Sequence, residues 1–208
     1  MTPVIVCALF WAVFATVFAC VEIESEGKHG WAERMPTWFR TRALWSRIVG
    51  LFIGGKPVTG YHAFMFTVPA FVFHAGFVMG APWSPEAEFR ALAIYFAWFV
   101  CWDYHWFVLN PFYAGKFRRE NVWWHAKSYW VFGRFPVDYL GAVAISLALA
   151  GIAAWFAGSR TPFVEHLMIL TVFMIETAAL HLVAPLYRRW YAQMRLSDDR
   201  DQTGIPRD

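Results

Sequence analysis

The residues of this chain that could do chemistry are acids and imidazoles set inside apolar sequence. Between Cys101 and Pro111 the chain carries Asp103 and His105 among Trp, Phe, Val and Leu. An ionisable group at membrane depth costs roughly 2.5–3.5 kcal/mol on insertion scales, so it normally has a partner and often a function. Asn110 and Pro111 then end the helix, because the residue before proline is driven out of the α region. The following loop mixes Lys116, Arg118, Arg119 and Arg134 with Trp123, Trp124 and Trp130, and carries His125 back toward the helix end.

Other residues of the same kind join these once the spans are set out. Glu22, Glu24 and Glu26 close the first apolar segment and His62 opens the second; Asp138 begins the fourth, and Glu176 and His181 lie in the fifth. Imidazoles with carboxylates form the ligand set of iron, manganese or zinc. The expected ligand pool is Glu22, His62, Asp103, His105, His125, Glu176 and His181. Asn110 is expected to orient a ligand through its hydrogen bonds, and Glu176 doubles as a proton donor. The Glu-x-x-His pairs of helix-bundle di-metal proteins are absent, since Glu120 to His125 and Glu176 to His181 are both five apart, about 140° around a helix. Clustered histidine boxes of the membrane desaturases are absent too. Bland readings stand beside these. Asp138 and Glu165 suit the amino-terminal ends of their helices, His74 suits a packed histidine, and Glu24 and Glu26 suit a solvated membrane surface. The three cysteines, Cys7, Cys20 and Cys101, have no metal or disulfide-framework spacing and read as small buried hydrophobes.

The elements that must position these groups are membrane helices. The chain has 208 residues, 59% hydrophobic, 20% aromatic and 16% charged, well below the roughly 25% charged residues of a soluble domain. Five stretches reach the roughly 20 apolar residues a span needs: 3–22, 60–80, 88–109, 138–158 and 163–186. Ser84-Pro85 and Thr161-Pro162 are start signals for the third and fifth. No Lys or Arg precedes Lys28, so 3–22 is expected as a retained helix and not a signal peptide. Of the eighteen basic residues, sixteen lie in 23–59, in 110–137 or after 186. By the positive-inside rule the N-terminus is outside and the C-terminus cytoplasmic. Trp31, Trp38 and Trp45 recur every seven residues with Arg40, Arg42 and Arg47 between them, which predicts an interfacial Trp/Arg-rich segment with its indoles on one helical face.

The sequence therefore predicts an all-α polytopic membrane helix bundle, a single integral domain over 1–196 with a polar, disordered tail over 197–208. It is expected in a cytoplasmic (inner) membrane, and a net charge of +3 sorted by loop argues against nucleic acid as a partner. The expected function is a metal-dependent membrane oxidoreductase, of hydroxylase or desaturase type, acting at the cytoplasmic face on a membrane lipid or other apolar substrate. Non-haem iron is the expected cofactor, with manganese or zinc as substitutes. Two alternatives remain: a b-type haem protein with His62 and His181 as axial ligands, and a non-catalytic carrier or assembly scaffold in which Asp103 pairs with Arg118 or Arg119.

Overall fold

A computed structural model describes residues 2–125 and 129–198. Lys127 and the tail from 199 onward lie outside the described residues. The helices are α1 (Thr2–Glu26), α2 (Leu44–Phe52), α3 (Gly60–Val78), α4 (Pro85–Leu109), α5 (Val137–Phe156) and α6 (Thr161–Leu196). All but α2 are long and apolar enough to cross a membrane, and the chain is an integral membrane protein of all-α class.

The spans agree with the sequence to within a few residues, save at the C-terminal ends of α1 and α6. Helix α1 runs four residues past its expected end, taking Glu24 and Glu26 with it. Helix α6 passes through Pro185 and continues to Leu196. Its 36 residues make it about 54 Å long, well beyond the roughly 30 Å hydrocarbon core, so its last turns with Arg188, Arg189 and Arg195 project past the apolar layer. Ser84 caps α4 as expected, its hydroxyl accepting from the amide of Ala87 at 3.1 Å. Thr161 is itself the first residue of α6, with Pro162 behind it.

Helix α4 is the centre of the bundle. Its most apolar window is 56% buried, against 17–22% for the other spans, and α1, α5 and α6 all pack on it. Helix α1 meets it through Ala8, Ala12, Ala15 and Ala19, each with 0% exposure. Residues three and four apart share a helix face, and small side chains there let backbones approach closely. The same face continues into Glu22, Ile23 and Glu26, all buried. The face that packs the bundle thus delivers two carboxylates into its interior. Aromatic side chains fill the rest of the α1, α3 and α4 interface: Trp11 stacks on Phe73 at 3.6 Å, and Phe14 and Trp102 both lie against Trp98.

The segment between α1 and α3 departs from the heptad expectation. Two short strands, β1 (Phe39–Arg40) and β2 (Val58–Thr59), pair antiparallel with Phe39 opposite Thr59, and α2 is enclosed between them. Trp31 lies in a turn, Trp38 just before β1 and Trp45 in α2. A continuous helix is ruled out by Pro36 and by two successive left-handed residues, Trp31 (φ 56°) and Ala32 (φ 54°). Leu44, Trp45 and Ile48 leave α2 with an exposed apolar side, which suits a helix lying in the headgroup layer. A second hairpin, β3 (Trp130–Val131) with β4 (Phe135–Pro136), leads into α5.

Candidate metal centre

The acids and imidazoles expected to form one pool fall into two groups, with His181 apart from both. The larger group lies at the end of the bundle where α1 and α4 finish and α3 and α5 begin. Glu22 and Glu26, four apart on α1, each place Oε1 3.6 Å from Nε2 of His62. All three residues are buried, with one ligand atom from each lying within 4.8 Å of the others. His62 opens α3, whose N-cap is Thr59: the Thr59 hydroxyl accepts from the His62 amide at 3.0 Å and lies 2.8 Å from Nδ1 of its ring. The Trp31 indole stacks on the imidazole at 3.9 Å. Both contacts hold the ring so that Nε2 faces the carboxylates.

The other half of the group comes from α4, α5 and the loop between them. His125 is fully buried, with Nδ1 3.2 Å from Oδ2 of Asp138 and Nε2 3.6 Å from Oδ2 of Asp103. The Tyr139 hydroxyl donates to Asp103. Asp138 therefore meets an imidazole as well as sitting in the first turn of its helix. Asp103 pairs with His125 and Tyr139, not with Arg118 or Arg119.

Lys56 joins the two halves. Its Nζ lies 3.1 Å from Nε2 of His125 and 4.6 Å from the centre of the Trp31 ring. It is buried, and burial pulls its pKa below the ordinary 10.5 while Asp103, Asp138, Glu22 and Glu26 all pull the other way. The ammonium thus meets His125 and Trp31 directly, and the four carboxylates act on it at longer range. The loop that supplies Lys56 turns through Gly54 (φ 68°) and Gly55 (φ 76°), a left-handed pair that residues with a Cβ adopt only under strain. Trp31 anchors that loop by donating from Nε1 to the Pro57 carbonyl at 2.8 Å.

The second group ties three helices together. His105 on α4 has Nδ1 3.1 Å from the Thr16 hydroxyl of α1 and Nε2 2.9 Å from the Thr177 hydroxyl of α6. Glu176 places Oε2 3.0 Å from the same Nε2 and accepts from Thr16 at 3.1 Å through Oε1. Cys101 Sγ is 3.2 Å from Nε2, so Cys101, His105 and Glu176 form a second set with metal-ligating atoms in reach of one another. Here threonine hydroxyls lie against both ring nitrogens and brace α1, α4 and α6, while Glu176 Oε2 has no hydrogen-bond partner among the described residues.

His181 is exposed and faces Tyr104, whose hydroxyl lies 3.2 Å from its Nε2. Nothing brings it toward His62, which is enclosed by Trp31, Glu22 and Glu26. Asn110 caps the end of α4 and spends both polar groups on backbone, donating to the Gly27 carbonyl at 2.8 Å and accepting from the Phe112 amide at 3.0 Å. It therefore positions the turn after α1 and touches no ligand side chain. The histidines toward the other end of the bundle have plain partners: His74 with Glu88 at 2.9 Å, and His166 with Ser146 at 2.7 Å.

Sequence reasoning passed over Glu26, Lys56, Tyr139 and the role of Trp31. Glu26 was legible, because the spacing Ala8, Ala12, Ala15, Ala19, Glu22, Glu26 keeps one face throughout. Lys56 carried no such signal, being one basic residue among six in its loop.

Metal-to-oxygen and metal-to-nitrogen bonds of about 2.0–2.2 Å put neighbouring ligand atoms about 3–4 Å apart. The 3.6 Å separations at His62 meet that condition. Two carboxylates and one imidazole, Glu22, Glu26 and His62, have ligand atoms within reach of one ion. In comparisons with protein-family models, curated proteins and solved structures, nothing matches this chain.

Proposed function

We propose that this chain is a metal-dependent integral membrane enzyme acting on a lipid or other apolar substrate, with its metal held by Glu22, Glu26 and His62. One observation carries the reading: two buried carboxylates, Glu22 and Glu26, converge on the buried imidazole of His62 with ligand atoms within 4.8 Å of one another. With His62 neutral and Glu22 and Glu26 both ionised, this pocket would hold two buried negative charges, and each such charge costs several kcal/mol away from water. A divalent cation offsets that cost. Oxygen and nitrogen donors without thiolate suit iron, manganese or zinc. The reaction class, oxygen-dependent oxidation, follows from the analogy of this donor set to di-metal carboxylate proteins. The excess of Lys and Arg in the loops at this end supports a cytoplasmic location for it, with the N-terminus outside.

Each side chain has a role in that reading. Thr59 orients His62 as outer partners of metal-bound histidines do. Trp31 covers the site from the loop side. Lys56 supplies a fixed positive charge to an anionic intermediate or a proton to a leaving oxygen. Tyr139 bridges Asp103 to the apolar groove between α4, α5 and α6, where a substrate chain would lie.

Elemental analysis of the purified full chain tests the proposal. At least about one equivalent of iron, manganese or zinc is expected, falling to background in Glu22→Gln and His62→Ala while the helix content persists. Wild-type protein with no metal above background, after growth in metal-supplemented medium, overturns it. Lys56 favours a second reading, a non-catalytic scaffold in which these groups form a closed ion network. That reading predicts no metal, together with loss of the folded chain on Lys56→Met.

A further inference from the structure

We infer that the substrate of this enzyme is a lipid with an anionic phosphate headgroup, its chain in the groove between α4, α5 and α6 and its phosphate against Arg118, Arg134 and Arg188. The inference rests on the reading above and names its substrate class. The groove has a volume of about 800 Å³ and an almost wholly apolar wall, including Val143, Leu170, Phe173 and Met174. At one end it shares the side chains of Tyr104, Phe135 and His181 with a second cavity of about 330 Å³, and that cavity is lined by the three arginines. Both volumes fall in the roughly 300–1,000 Å³ range of small-molecule sites. An apolar trough that opens past a tyrosine and a histidine into a ring of guanidinium groups has the polarity profile of one lipid molecule.

The arginines come from three separate elements and converge without an acidic partner. Arg118 precedes the 119–121 turn, Arg134 lies in the tight turn of the β3–β4 hairpin, and Arg188 is on α6 two turns beyond His181. Among the described residues none of the three lies within ion-pair distance of a carboxylate. Arg188 donates one N–H to the Val108 carbonyl at 3.1 Å, which fixes its plane and leaves its other donors available. Guanidinium groups bind phosphate through paired hydrogen bonds, and basic pockets between helices at a membrane surface take lipid headgroups. Three like charges gathered without a counter-ion repel one another, and an anion removes that repulsion. His181 on a surface facing lipid tails is accounted for as well: together with Tyr104 it meets the ester or ether oxygens below the phosphate. The chain next to the headgroup then passes Tyr139, whose hydroxyl contacts Asp103, so the reacting carbons lie beside the metal centre.

Lipid retention by the purified full chain, read by native mass spectrometry, tests this without metal or turnover as a readout. The probes are dioleoyl phosphatidic acid, dioleoylglycerol with the same chains and no phosphate, and inorganic phosphate. Wild-type protein is expected to retain phosphatidic acid at a concentration about tenfold or more below that needed for dioleoylglycerol, the discrimination of a charge-assisted contact. Arg118→Gln with Arg134→Gln removes that preference, and Arg134→Gln alone, in an exposed turn, weakens it should the pair fail to fold. Ala178→Phe, which fills the groove, weakens both lipids, and inorganic phosphate at equal concentration displaces neither. Equal retention of the two lipids, an undiminished preference in the arginine variants, or displacement by inorganic phosphate each overturns the inference. The metal-free Glu22→Gln variant keeps the phosphatidic acid preference, so failure of the metal reading and failure of the lipid site are distinguishable.

Discussion

Replacing Glu26 by Gln has opposite consequences depending on whether a cation is bound, and the sign carries the metal reading. Gln keeps the shape of the side chain and its carbonyl oxygen still accepts the Ala32 amide, a contact of 2.5 Å. Only the charge goes. In the loaded protein the substitution removes a ligand, and with it the stabilisation that binding confers. A cation present at about 100 times its Kd adds about 2.7 kcal/mol, and a chain of this size shifts its apparent Tm by roughly 2–4 °C per kcal/mol. Glu26→Gln should therefore melt roughly 5–10 °C below wild type. In excess chelator the same substitution relieves repulsion. Glu22 and Glu26 place oxygens within 4.8 Å of each other, and two unit charges at that distance repel by about 3.5 kcal/mol at an effective dielectric of about 20. That figure is an upper bound, since protonation of either carboxylate removes the same repulsion. The chelated variant should thus melt at or several degrees above chelated wild type. Thermal unfolding of both proteins, followed by tryptophan fluorescence in detergent with and without chelator, gives the four values needed. A shift of the same sign and size in both conditions refutes a cation between these carboxylates.

Four further outcomes follow from the same geometry. Thr59→Val should lower metal affinity about 10–100-fold through His62, whereas Thr59→Ser should retain it, as read by competition with a fluorescent chelator. His105→Leu should leave metal content at the larger site unchanged and yet destabilise the chain by about 3–5 kcal/mol, because Glu176 loses its partner inside the bundle; denaturant titration and elemental analysis of one sample check both halves. Gly30→Ala should abolish folded protein on size-exclusion chromatography, since a Cβ there falls 2.0 Å from the Trp124 ring. Lys56 is lowered from 10.5 by burial, so the unfolded chain binds the extra proton between the lowered value and 10.5. Its contribution to stability rises with pH across that window, and Lys56→Met should flatten the slope of Tm against pH above neutrality.

The spans and the central role of the Asp103 region were legible because both are written in local sequence. Hydropathy fixes a membrane helix almost by itself, and an acid flanked by tryptophans is conspicuous wherever the fold takes it. Loop geometry was much less legible. The seven-residue recurrence of Trp31, Trp38 and Trp45 looked helical, but the backbone at Trp31 and Ala32 is left-handed, and only the tertiary contacts of Trp31 with His62 and Lys56 account for residues with side chains adopting it. Depth was also a poor guide to partnership. His62, His105 and His181 belong to the same half of the bundle, yet the helices carrying them present different faces, so one imidazole meets two glutamates, one meets two threonines and one faces the lipid groove.

That separation sorts the buried acids by what opposes them. Glu176 and His105 share the Thr16 and Thr177 hydroxyls, and Glu176 Oε2 is left without a hydrogen-bond partner among the described residues. In the Lys56 cluster Asp103 accepts from the Tyr139 hydroxyl and Glu26 from the Ala32 amide. A chain that needed only to hold α1, α3, α4 and α5 together could do so with apolar contacts at lower cost, since replacing a buried ion pair by packed hydrophobic residues is often neutral or stabilising. With Glu22 and Glu26 ionised side by side against one imidazole, a cation resting between them removes the repulsion that apolar packing would never incur.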